Sequence, residues 1–71
     1  MTTMTLADAR ARLVSEAARL EVRASTARQA AEYADCHHAY ETDMATARDA
    51  AGDASILRTA IRVLERLEAT R

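Results

Sequence analysis

No proline interrupts the 71 residues, and glycine occurs once, at Gly52. Proline costs a helix interior about 3 kcal/mol and glycine about 1 kcal/mol relative to alanine, so this chain is free to be helical almost throughout. Eighteen alanines push the same way, because alanine loses no side-chain entropy on entering a helix. The expected class is all-α.

Length sets the second constraint. A chain of 71 residues makes a single helical domain, 1–71, and buries too small a fraction of its surface to be comfortably stable alone. Leu, Ile, Val and Met together supply only fourteen residues, and the aromatics are Tyr33 and Tyr40. So thin an apolar complement calls for a second copy, a partner or a metal. The lone cysteine, Cys36, excludes an internal disulfide, and Met1-Thr2-Thr3-Met4-Thr5 holds no apolar run that could serve as a signal or membrane segment. The composition reads as cytoplasmic and without membrane association.

Thr5-Leu6-Ala7-Asp8 reads as a helix start: a hydroxyl to cap free N–H groups, then an acid where the helix dipole favours it. Nothing beyond Leu6 forces a stop before Gly52, which suits the position just past a helix C-terminus, and Asp53 can cap a second helix. The expected architecture is a long helix (about 5–51) with a shorter one (about 54–70) folded back as an antiparallel hairpin, oligomerising into a helical bundle. A first helix of about 46 residues would run roughly 70 Å. Its N-terminal half would lie bare. The alternative is a compact three-helix bundle broken near 25–26, where Thr26-Ala27-Arg28-Gln29 fits a capping box.

Two apolar seams step by three and four residues along the first helix. One holds Leu6, Leu13, Ala17, Leu20, Ala24, Ala27, Ala31 and Ala34, and its first six members are the expected oligomer interface. The other runs Ala7, Ala11, Val14, Ala18, Val22 and resumes as Tyr33, Cys36, His37, Tyr40, Met44, Ala47, Ala51. The second helix presents Ile56, Leu57, Ala60, Ile61, Val63, Leu64 and Leu67. Reflection about Gly52-Asp53 sets Ile61 near Met44 and Leu64 near Tyr40, so the expected hairpin core is Tyr33, Tyr40, Met44, Leu57, Ile61 and Leu64.

Charge is nearly balanced overall but segregated. Residues 1–31 carry five Arg against three acids, 32–53 one Arg against six, and 54–71 four Arg against two. The expected hairpin would lay the basic last segment beside the acidic middle one, setting register more than stability. Arg58, Arg62 and Arg66 recur every four residues as a ridge that could track a phosphate backbone. Arg12, Arg19 and Arg23 make a second stripe, moderated by Glu16.

The densest polar cluster spans residues 32–43 and gathers both histidines, both tyrosines and Cys36. On a continuous helix Asp35 with His38, and His37 with Glu41, would share faces and offer two metal ligands per pair. Two ligands do not make a site, so no metal and no cofactor is expected unless symmetry mates complete the set. Cys36 beside His37 is a poor nucleophile pair, since adjacent helical side chains point about 100° apart and no glycine-rich loop can form an oxyanion hole. With no phosphate-binding loop either, the expectation is a non-enzymatic protein-interaction module. It is a small homo-oligomeric helical regulator, adaptor or phage-type inhibitor that binds itself and a larger protein. A nucleic-acid-binding hairpin using the Arg58/Arg62/Arg66 ridge is the alternative, and a metal-binding bundle through His37 and His38 the second alternative.

Overall fold

The computed structural model describes residues 3–70; Met1 and Thr2 of the N-terminal stretch, and Arg71 at the end expected for the second helix, lie outside the described residues. The protein is an all-α helical hairpin: α1, Leu6–Glu32, packs against α2, His37–Ala69. The start of α1 is the one its sequence encodes. Thr5 is the N-cap, its hydroxyl accepting from the Asp8 N–H at 3.1 Å while the Asp8 carboxylate accepts from the Thr5 N–H at 3.2 Å.

The turn is not at Gly52. It falls at residues 33–36, where the Tyr33 N–H donates to the Ala30 and Ala31 carbonyls and Cys36 opens α2 in an extended conformation. Gly52 sits inside α2 with ordinary helical backbone, and α1 runs unbroken through Ser25 and Thr26, so the three-helix bundle does not form. The physical reason is the burial gained along α1. A break at Gly52 would join helices of about 46 and 17 residues and leave most of the first uncovered, whereas the observed break gives 27 and 33 residues, so that α2 covers nearly all of α1 and only its own first turns extend past the end of α1. Keeping Gly52 helical costs about 1 kcal/mol. Packing outweighs it.

The core is almost entirely alanine. Ala17, Ala24, Ala27 and Ala31 of α1 and Ala47, Ala50, Ala54 and Ile61 of α2 are the buried apolar residues, and no large side chain among the described residues is fully buried. Ala17, Ala24 and Ala31 recur every seven residues, as do Ala47, Ala54 and Ile61. That is the spacing of a two-helix coiled coil. Side chains this small let two helix axes approach closely.

The hairpin measures 53 × 25 × 13 Å, two helices wide and one helix thick. Its radius of gyration is 16.1 Å, where a compact chain of this length has about 11 Å. Its accessible surface is 5445 Å², where a compact monomer of this mass has roughly 4400 Å². A single layer leaves both broad sides of each helix facing water.

Candidate interaction surfaces

Moving the turn reassigns the apolar seams. The seam of Leu6, Leu13, Ala17, Leu20, Ala24 and Ala27, expected to meet another copy, packs on α2 of its own chain. Ala17, Ala24 and Ala27 are buried there, while Leu6, Leu13 and Leu20 are half-buried. Of the expected hairpin core, Ile61 is buried and Met44, Leu57 and Leu64 are half-buried. Tyr33 and Tyr40 are not core residues at all: Tyr33 is 83% exposed at the turn and Tyr40 is exposed on the first turns of α2.

Charge pairing shifts likewise. The acidic middle and basic last segments now lie mostly end to end in α2 and cannot face each other, so α2 pairs with α1 instead. Arg58 Nη2 lies 2.6 Å from Glu21 Oε1, and Arg10 Nε lies 2.8 Å from Glu68 Oε1. The hydrogen bond from Arg58 holds the Glu21 carboxyl below the usual carboxylate range, and the Arg58 guanidinium is raised in turn. Within α1, Glu16 is lowered by its bond with Arg19. The ridge is thus divided: Arg58 is taken up by Glu21, Arg62 donates to the Thr59 hydroxyl at 3.4 Å, and Arg66 is exposed in the last turn.

The polar cluster is opened by the turn. Asp35 precedes the N-cap of α2 and no longer shares a helical face with His38, whereas His37 Nε2 does meet Glu41 Oε1 at 3.0 Å. That pair is exposed, and His37 also lies near-parallel to Tyr40 with ring centroids 6.5 Å apart. Among the described residues no three His, Cys, Asp or Glu side chains converge on a point that could hold a metal. Cys36 acts locally, its Sγ accepting from the Ala39 N–H at 3.5 Å.

The groove between the helices has two sides. One crevice is lined by Leu20, Arg23, Thr46, Asp49, Ala50 and Asp53, and another by Glu21, Ala24, Arg28, Ala51, Ala54, Ser55 and Arg58. Residues seven apart share a helical face. On the side of Asp49 and Asp53, α2 therefore presents Ile56, Ala60, Val63 and Leu67; Ile56 is 69% exposed, and Val63 and Leu67 each about half. On the side of Glu21 lie Ala7 and Val14, with Val22 further round, beside Arg58 and Arg62. Each broad face carries one apolar stripe.

The stripe of Ile56, Ala60, Val63 and Leu67 escapes a sequence reading that assigns every apolar residue of the last segment to the hairpin. Its signal is two interleaved seams. Leu57, Ile61 and Leu64 step toward α1, while Ile56, Ala60, Val63 and Leu67 step by four, three and four toward solvent. No helix among the described residues is long and apolar enough to cross a membrane. The sequence matches no known family model, and neither a curated protein nor a solved structure is detectably similar to it.

Proposed function

We propose that this protein is a non-enzymatic interaction module, a small homo-oligomeric helical hairpin that docks on a larger protein as a regulator, adaptor or phage-type inhibitor does. The observation that carries the reading is the one-layer architecture. Stable domains enclose a core between two layers of secondary structure, and here a single layer leaves Val14, Val22, Ile56, Val63 and Leu67 in water. Association of hairpins supplies the missing layer, and a bundle built that way still offers an outer face to a different protein. The exposed turn, with Tyr33, His37 and Tyr40, adds aromatic contact area of the kind enriched in protein interfaces.

The test is solution mass by light scattering across a concentration series, with helicity tracked by circular dichroism on dilution. A mass of two or more chains, with helicity falling as the assembly dissociates, is expected. A monomer that stays fully helical into the nanomolar range overturns the reading.

A further inference from the structure

The two ends of the hairpin differ in charge. Around the turn, residues 29–47 hold four acids, Glu32, Asp35, Glu41 and Asp43, and no arginine. Among the described residues none of the four meets an arginine of its own chain. The ion pairs formed by arginine lie within residues 10–21 of α1 and 58–68 of α2, and Glu41 has only His37. At the other end Arg12, Arg62 and Arg66 are exposed and take part in no ion pair among the described residues. Asp8, which caps α1, and Glu65 lessen the charge there without reversing it.

We propose that two copies of this hairpin lie antiparallel, the acidic turn end of each against the arginines at the terminal end of the other. The inference rests on the homo-oligomer reading above and specifies the orientation of the copies and the surfaces that set it.

Charge complementarity selects a second copy as the occupant. One chain carries both ends, separated by most of its 53 Å length, so it cannot join its own. Two copies can, in two equivalent contacts about a two-fold axis at mid-length, and that closes the assembly. The opposite orientation would set the four acids of one turn beside the four of the other, and like charges so placed oppose association. Salt screens charges beyond about 8 Å at physiological ionic strength. That is far short of the hairpin's length, so each end acts as a contact of its own. Tyr33, 83% exposed beside Glu32, gives the acidic end an aromatic surface on which a guanidinium can stack.

Cys36, exposed at the acidic end and the only cysteine of the chain, accepts a spin label there without any substitution. In the antiparallel dimer, pulsed dipolar spectroscopy is expected to give a label separation near the 53 Å length of the hairpin. Labels on Thr70→Cys in a Cys36→Ser background read the opposite end and are expected to lie equally far apart. Turn beside turn would bring the labels within two helix diameters, roughly 20–24 Å. That result overturns the orientation and leaves the homo-oligomer reading standing. A native chain that is monomeric at every concentration overturns both, and a mass that keeps growing past two chains overturns the closed pair. The charges have their own test. Arg62→Glu with Arg66→Glu is expected to weaken the dimer about tenfold, and adding Glu32→Arg with Glu41→Arg to restore it. No weakening, or no recovery in a variant that stays helical, overturns the role of the two ends.

Discussion

The half of the hairpin beside the turn and the half beside the termini are built from different materials. Near the turn, Ala24, Ala27 and Ala31 meet a helix carrying Ala47, Ala50 and Ala54. Toward the termini the facing residues are Leu6, Leu13, Ala17 and Leu20 on one side and Leu57, Ile61 and Leu64 on the other, with both interhelical ion pairs, Glu21–Arg58 and Arg10–Glu68. A buried methyl group contributes roughly 0.8 kcal/mol, a fully buried leucine or isoleucine about 1.5–3 kcal/mol. The alanine half therefore fixes how closely the helices approach, and the leucine half supplies most of the apolar free energy.

The sharpest way to break that division is Ile61→Ala, which removes the only large residue in the buried core among the described residues. It is expected to cost about 2–4 kcal/mol in chemical denaturation; a loss no larger than that of an exposed substitution would show the terminal half to be dispensable. Ala24→Leu probes the other half. Ala24 is buried between the helices, so added bulk is expected to cost about 1–3 kcal/mol, whereas Ala18→Leu, exposed on the same helix, should stay within about 0.5 kcal/mol. Equal effects at the two positions would mean that the alanine contact is not tight.

Two substitutions should add stability. Gly52 is exposed, helical and open to an added methyl group, so Gly52→Ala is expected to raise stability by about 0.5–1 kcal/mol in thermal melts. Cys36 caps α2 through a long thiol contact of 3.5 Å, and Cys36→Asp should gain about 0.5 kcal/mol by giving the free N–H groups a charged oxygen. The smallest effect is a pH dependence of the terminal half. Glu21 has its carboxyl lowered by Arg58, so its contribution is present above the ordinary carboxylate range and is lost as pH falls through the depressed folded-state value. Glu21→Gln should flatten the acid limb of the stability profile slightly, and an unchanged limb would show that the pair contributes nothing in solution.

How much of this could be read from the sequence differs by level. The class, the hairpin and the first cap were legible because they depend on local signals: alanine propensity, the absence of proline, and the Thr5–Asp8 spacing. The seam from Leu6 to Ala31 was legible as a seam, but its partner was not, because the partner depends on where the chain turns. Gly52 carries the strongest single breaker signal. The actual turn carries a diffuse one, a cluster of Tyr33, Asp35, Cys36, His37 and His38, none of which favours a helix strongly and none of which breaks one alone. Which site bends is decided by how much of the first helix the second can cover, a property of the whole chain. That choice exposes Tyr33 and Tyr40, divides the arginine ridge and frees the Ile56–Leu67 stripe.

A thickness of 13 Å also governs how the backbone meets solvent. In a slab so thin the peptide groups lie close to water, and near the turn the ones facing inward are covered mostly by alanine methyl groups. Amide protons in such a slab exchange through small local openings, so amides that slow as protein concentration rises would mark places where a second chain covers a helix. An exchange map taken at two protein concentrations would thus test the homo-oligomer reading residue by residue, an unchanged map counting against it.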